Sequence, residues 1–533
     1  MHKRLRESLG MPQIFALIEA KGEVCASVKR SKLAKTHNKQ REISAEYQHC
    51  QQFIKLIRHN PLLREKLGLL FSHLPELALK HFGTSDSLAL HEFFEIKSFL
   101  WHYTQLREHC CQQGMMSLHP LPDMQEMFQA LDPDGNGLPT FRISPLYSCD
   151  LQHLLDKQQD TALKLKHACQ ADLEAARKSL GMPNLKNEFV LSRNSRELTG
   201  RLQASGHFVI SSENLANYAF KLIDSAKVQK LKLALQDIAE SLRHAEAEIL
   251  QSLSQKVKSQ LKELEQACQS AAELAWDFCL AEFALNYNCC IPQLVTDTEG
   301  FAAITLVEAV NLPLKLALED KKRSFQTLNI QIDNSANLIT GPNMGGKSTA
   351  LITIGQMFYL ASLGVPLPAK QATLPLYDEI YYNHDSGESS DTLSSFGREV
   401  VSLVTALERK GSKLILLDEF AKGTNPAEGE AICVATIRYL QQSPYTLIAA
   451  THFSAPTKLP NLAHYSIKGI DDASFEAMEK MSETSLENRL KLLSEAMDYS
   501  LLRLPESTTP PQCAVKIATL LGLPPGILKH LQR

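Results

Sequence analysis

The chain has 533 residues, 44% of them apolar, and a formal net charge of −3. That length and apolar content imply two to four domains with packed cores, and near-neutrality excludes a protein that holds polyanions by bulk charge, though not one with a local basic patch. Twelve cysteines are scattered without a Cys-x-x-Cys spacing, no secretory leader opens the chain and no apolar run reaches eighteen residues, so the expectation is a cytoplasmic protein with free thiols, no zinc site and no membrane span.

Residues 1–45 read as a basic arm. Up to Arg41 there are ten Lys/Arg against three Asp/Glu, densest from Lys29 to Lys35. Such a run is a solvated tail or exposed helix, or else an arm that touches phosphates or an acidic partner. Residues 46–182 read as a helical core, with Leu88–Leu100 a long amphipathic segment and residues 148–180 a further helix. Asp132-Pro-Asp-Gly-Asn-Gly137 imitates a calcium loop, but Ile143 stands at position twelve, where a bidentate Glu is required. It therefore reads as a tight turn, followed by a short strand over Pro139–Ile143.

Residues 183–290 read as lever helices carrying a small β element. Glu188–Ser192 and His207–Ser211 are β-type runs that could pair as a hairpin within about 186–212. The polar stretch between them holds Arg193, Arg196 and Arg201, candidate contacts for nucleic-acid phosphates. No Gly or Pro follows until Pro292, and Leu231, Leu235, Ile238, Leu242, Ile249 and Leu253 recur at helical spacing. A helix of about 50 residues, roughly 75 Å long, is predicted.

Residues 291–470 carry the chemistry. Ala336–Thr340 reads as a buried strand, and Gly341 to Ser348 fits the pattern Gly, four residues, Gly-Lys-Ser. Such a loop turns successive backbone N–H groups toward phosphate oxygens and opens a helix whose N-terminus favours anions. Lys347 is expected on the β- and γ-phosphates and the Ser348 hydroxyl on magnesium. Leu414–Leu417 is a second buried strand, ending in Asp418, for the magnesium shell, and Glu419, to orient or deprotonate water. Two adjacent carboxylates at a strand end are costly unless a cation and a reaction use them. Thr446–Ala450 is a third strand, after which His452 is placed to sense the γ-phosphate.

Five segments then appear in one order: Gly341-Pro-Asn-Met-Gly-Gly-Lys-Ser-Thr349, Gly364-Val-Pro-Leu-Pro-Ala369, Ser394-Ser-Phe-Gly-Arg-Glu399, Asp418-Glu-Phe-Ala-Lys-Gly-Thr-Asn-Pro-Ala-Glu-Gly429 and Thr451-His-Phe453. Together they resemble the ATPase domain of the MutS family. The resemblance implies an α/β P-loop ATPase domain of the ABC-like kind, preceded by an all-α core and lever with a small β clamp. It implies ATP and Mg2+ as cofactors, with Gly341, Pro342, Asn343, Met344, Gly345, Gly346, Lys347, Ser348 and Thr349 around the nucleotide. It further implies a homodimer in which Ser394 of one subunit faces the ATP held by the other. Residues 471–533, with Pro511–Leu528 similar to a helix-turn-helix, would close the ATPase and help hold that dimer.

Departures from the family shape the functional expectation. The 340 residues ahead of the phosphate loop leave no room for a mismatch-reading domain, and no nuclease-type extension is read after the ATPase. One expectation is a MutS-like ATPase whose hydrolysis drives a clamp on DNA without reading mismatches. The alternative is an ATP-dependent reactivase of a cobalamin-dependent aminomutase, working with that enzyme and a companion subunit.

Overall fold

The computed structural model describes every residue except 1, 80–86, 297–301, 343–345, 384–393, 471–474, 476–491, 494, 506–513, 529 and 531–533. The chain divides into two compact units, one of residues 1–73 with 271–533 and one of residues 74–270. These divisions differ from the boundaries expected at 45/46 and 290/291.

The first unit begins with α1 His2–Ser8, α2 Met11–Leu17, α3 Gly22–Lys32, α4 Gln40–Arg58 and α5 Pro61–His73. Residues 1–45, expected as an arm, are built into this unit instead. The reason is the apolar set between the charges: Leu9, Met11, Ile14, Ile18 and Cys25 are fully buried, each large aliphatic side chain contributing about 1.5–3 kcal/mol. Several cations are spent internally. Arg6 Nε donates to Tyr359 Oη at 2.6 Å, Lys29 Nζ to the Ile18 carbonyl at 2.6 Å, and Lys32 pairs with Glu46 at 2.7 Å.

The second unit contains α6 Leu90–Gln112, α7 Gln125–Ala130, α8 Cys149–Leu180, β1 Glu188–Ser192, α9 Arg196–Ala204, β2 Phe208–Glu213, β3 Asn217–Leu222 and α10 Ala226–Ser259. Helices α8 and α10 pack along each other, and each starts on a serine cap, Ser148 and Ser225, whose side chain accepts a first-turn N–H. The expected hairpin is replaced by a three-stranded sheet in the order β1-β3-β2. β1 and β2 do not pair with each other; both are antiparallel to β3. β3 lies in the Gly- and Pro-free stretch, where its period-two set Tyr218, Phe220 and Leu222 was hidden by the helical pattern that follows. Phe220 is fully buried between Phe189, stacked at 5.6 Å, and the ends of α8 and α9 at Leu180 and Leu202. The 50-residue helix is likewise two helices, α10 and α11 Leu261–Asn286, because Gln260 leaves helical geometry at φ −110° and ψ 20°.

The imitation calcium loop holds a cation of another kind. Lys97 Nζ lies 2.9 Å from Asp132 Oδ1, both side chains almost fully buried, while Gly137 N donates to Asp132 Oδ2 at 2.8 Å. Residues Pro139–Ile143 form no strand; Phe141 is instead held by stacking on Phe93 at 5.0 Å.

The first unit resumes with β4 Gln293–Leu294, β5 Ile304–Ala309, α12 Leu312–Asp320, β6 Leu328–Ile332, β7 Ala336–Thr340, α13 Lys347–Ser362, β8 Gln371–Leu374, β9 Glu379–Tyr382, α14 Ser395–Leu407, β10 Lys413–Asp418, α15 Pro426–Gln441, β11 Tyr445–Ala450, β12 Ala463–Gly469, β13 Asp498–Leu504, and the short helices α16 Ala514–Leu520 and α17 Pro525–Leu528. A six-stranded sheet runs β13-β12-β7-β11-β10-β9, parallel except for β13, beside a four-stranded sheet β4-β8-β5-β6. All five residues of β7 and the first five of β10 are buried, as expected of strands covered on both faces. Ile415 and Leu417 pack with Leu403 of α14 and Ile437 of α15, whereas Leu416 points to Gly355 of α13. The N-terminal segment clads the back of α13: Gln356 Nε2 donates to the Leu9 carbonyl at 2.8 Å and His37 N to the Ser362 carbonyl at 2.7 Å.

Candidate nucleotide site

The sheet order brings the C-terminal ends of β7, β10 and β11 side by side, which is where a parallel α/β sheet binds its ligand. From β7 the chain passes through Gly341 at φ 141° and Gly346 at φ 83° into α13. Both angles disfavour a side chain, and a Cβ on Gly341 would stand 3.0 Å from Ile467. Asn343, Met344 and Gly345 lie outside the described residues, while Pro342 is buried, Ser348 is exposed in the first turn of α13 and Thr349 is half-buried.

Lys347 is 5% exposed, and its Nζ donates to the carbonyls of Gly341 at 2.9 Å and Pro342 at 3.1 Å. It also lies 3.5 Å from His452 Nδ1, and His452 Nε2 contacts Glu419 Oε1. Burial pushes the Lys347 ammonium down to about 8, with Glu419 and Asp418 pulling the other way. Burial and then the Lys347 charge hold His452 below its ordinary value, against the pull of Glu419. The imidazole is therefore neutral, and its contacts fix the tautomer: Nε2–H donates to Glu419 while Nδ1 faces the ammonium. Burial raises the Glu419 carboxyl, but the hydrogen bond from Lys422 at 2.5 Å and the charges beside it outweigh that and keep it ionised.

Asp418 ends β10. Its backbone is bracketed by Asn383, whose Oδ1 accepts from Asp418 N at 2.5 Å and whose Nδ2 donates to Asp418 O at 3.1 Å. Tyr382 Oη donates to Oδ2 at 3.2 Å. Oδ1 is buried with no hydrogen-bond partner among the described residues. That orphaned oxygen fits a divalent cation, which takes hard oxygen donors, and the hydroxyl of Ser348 in the first turn of α13 is a donor of the same kind. Glu419 follows at φ 50° and Ala421 at φ 65°, conformations that cost a non-glycine residue about 1–3 kcal/mol each and cluster where function demands them.

A cavity of about 750 Å³ opens on Lys347, Ser348, Thr349 and Glu419, with Leu314, Leu318, Arg323, Phe325 and Tyr499 among its other walls. That is room for a nucleotide, with polar groups at the phosphate loop and aromatic surface beyond. Ser394 lies in the same unit as the N-cap of α14, where its Oγ accepts from Gly397 N at 3.1 Å. It does not line this cavity.

Sequence reasoning missed Tyr382, Asn383 and Lys422, which hold the two carboxylates, and the cavity walls at Phe325 and Tyr499. Only Lys422, three residues from Glu419, had a local signal. The three arginines of the second unit are unequal. Arg193 pairs with Glu213 at 2.9 Å and lies 4.6 Å over the Tyr218 ring, and Arg201 turns back toward the Leu180 carbonyl at 3.5 Å. Arg196 is exposed, and no ion pair engages it among the described residues.

A parallel sheet with a glycine loop opening α13, a lysine on that loop and paired carboxylates on the neighbouring strand defines a P-loop ATPase domain. Residues 337–528 match the family model of MutS domain V. This region is therefore similar to the ATPase domain of MutS family proteins. The chain is 30% identical over 234 residues to the endonuclease MutS2 of Clostridium tetani (strain Massachusetts / E88), covering 43% of this chain and 28% of that protein. With the endonuclease MutS2 of Halothermothrix orenii it shares 29% over 291 residues, covering 53% and 32%. With that of Maridesulfovibrio salexigens it shares 28% over 231 residues, covering 42% and 29%. The matched region thus spans about a third or less of these relatives. No helix among the described residues is long and apolar enough to cross a membrane.

Proposed function

We propose that the chain hydrolyses ATP in a site completed by a second copy of itself, and that the cycle drives a conformational change on DNA. The observation that carries the hydrolytic part is the contact series Lys347–His452–Glu419, whose two ends, Lys347 and Glu419, line the phosphate-loop cavity. The glycine-loop residues from Gly341 to Thr349 would wrap the phosphates, with Lys347 leaving the carbonyls of Gly341 and Pro342 for the β- and γ-oxygens. Ser348 and Asp418 would hold magnesium, which supplies charge neutralisation when bound. Glu419 takes the proton of the attacking water as its oxygen bonds to the γ-phosphorus and the bond to ADP breaks. His452, neutral, keeps Glu419 oriented through Nε2–H and reports the γ-phosphate. Ser394 and the N-terminus of α14 would meet the nucleotide of the partner copy, where a helix N-terminus favours anions.

DNA is the favoured target because the relatives matched are named endonucleases, and Arg196, with lesser parts for Arg193 and Arg201, offers phosphate contacts on the second unit. The aminomutase reading has no observation of this kind behind it. Substituting Lys347 by Ala and Glu419 by Gln tests the site. Lys347→Ala is expected to lose nucleotide binding, since a charge-assisted phosphate contact is worth about 1.5–3 kcal/mol. Glu419→Gln is expected to keep ATP bound while turnover falls by about two orders of magnitude or more. Hydrolysis at the parent rate by Glu419→Gln would remove Glu419 from its assigned role.

A further inference from the structure

We infer that Glu399 is a positioning residue that ties the helix bearing Ser394 to the turn that aims Glu419, so that turnover, and not nucleotide binding, answers to what docks on that helix. This rests on the reading of Glu419 as the group that activates water. Glu419 and Ala421 both hold positive φ, so the turn after β10 keeps its shape only while its surroundings impose it. One constraint is the Glu399 carboxylate, whose Oε2 accepts the Ala421 N–H at 3.1 Å. Glu399 lies on α14 five residues beyond Ser394, which caps that helix. The two side chains therefore ride on one rigid rod.

A second contact repeats the connection. At Gly423 the loop passes so close to the start of α14 that a Cβ would stand 2.9 Å from Ser395 Oγ and 3.4 Å from Phe396 N. α15 also closes on this turn, where a Cβ on Gly429 would stand 2.4 Å from the Ala421 carbonyl. The turn is thus in contact with both α14 and α15, and α14 cannot shift without moving Ala421 or breaking its hydrogen bond. Lys347 depends on neither contact, being held by the carbonyls of Gly341 and Pro342. Movement of α14 therefore reaches the carboxylate and leaves the phosphate cradle in place.

The test compares Glu399→Ala and Glu399→Gln in the full chain, reading ATP affinity, kcat and thermal midpoint with Mg2+ present. For Glu399→Ala, kcat is expected to fall about 10- to 100-fold, the size of effect a misplacement of about 1 Å produces, with ATP affinity and midpoint unchanged. Glu399→Gln keeps an oxygen that accepts the Ala421 N–H and is expected to recover most of the rate. Should the alanine variant not fold, Glu399→Asp, which withdraws the carboxylate by one methylene, is expected to show the same split. A kcat within about twofold of the parent, an amide variant as slow as alanine, or an equal loss of ATP affinity would each overturn the inference. Glu419→Gln run alongside separates the failures: a dead Glu419→Gln beside an active Glu399→Ala sinks the positioning role alone, and an active Glu419→Gln sinks the reading beneath it.

Discussion

Lys347 shows how one residue's environment sets the working range of the site. Its ammonium is buried against two carbonyls and a neutral imidazole, and burial brings it down to about 8 against the pull of Glu419 and Asp418. Phosphate oxygens would favour the charged form, so ATP binding is expected to take up a proton wherever the free lysine is partly neutral. The sign follows: affinity is full below about pH 8 and falls above it, approaching tenfold per pH unit. Titration calorimetry from pH 6.5 to 9.5 in buffers of different ionisation enthalpy checks both the affinity and the proton count. A flat profile with no proton uptake would mean that the lysine is charged throughout.

The elements differ in how openly the sequence announces them. The buried pair Lys97–Asp132, both side chains about 5% exposed, fixes the Asp132–Gly137 loop to α6. Lys97→Met is expected to destabilise the protein by about 3–5 kcal/mol, because it strands a buried carboxylate, and added calcium is not expected to restore it. Denaturant unfolding with and without calcium measures both. In this loop the sequence identified the turn but not its cation, since Lys97 lies 35 residues away on another element. The phosphate loop, the Asp418-Glu419 strand end and the strand before His452 were legible because each is a contiguous run whose residues must be neighbours to work. β3 was not, because its only announcement is the Asn214 turn ahead of it, whose Oδ1 accepts from Ala216 N and Asn217 N, and its six residues merge with the helical pattern that follows. Nor were α1–α3 as part of the ATPase unit: the charges at Lys29–Lys35 dominate the composition, while Leu9, Met11 and Ile14, which decide the packing, are few and interspersed. Asn383 and Tyr382 escaped because they meet Asp418 only through the pairing of β9 with β10.

At the scale of the whole molecule the proposed site needs two copies, since Ser394 caps α14 away from the cavity of its own chain. Protein carrying Ser394→Arg has an intact phosphate loop but a blocked helix N-terminus, and Lys347→Ala protein has the reverse. Mixing the two is expected to restore one working site per pair, about half the parent turnover for each pair formed; heterodimers without activity would mean that each chain works alone. The DNA part of the proposal can be tested through salt. A protein that neutralises Z phosphates shows a log–log salt slope of about −0.9Z, and each arginine that touches a phosphate contributes about one unit to it. Since Arg193 is engaged by Glu213 and Tyr218 and Arg201 faces the Leu180 carbonyl, the three are not equivalent candidates. Arg196→Ala is expected to flatten the slope by about one unit and weaken binding alike for all duplex sequences, because phosphate contacts position a protein without reading bases. Arg193→Ala and Arg201→Ala are expected to leave the slope nearly unchanged and to loosen the three-stranded sheet and its helices, seen as faster amide exchange at Tyr218 and Phe220. Fluorescence anisotropy with labelled duplex between 50 and 300 mM salt decides it, and a slope indifferent to Arg196 would take DNA contacts away from this part of the molecule.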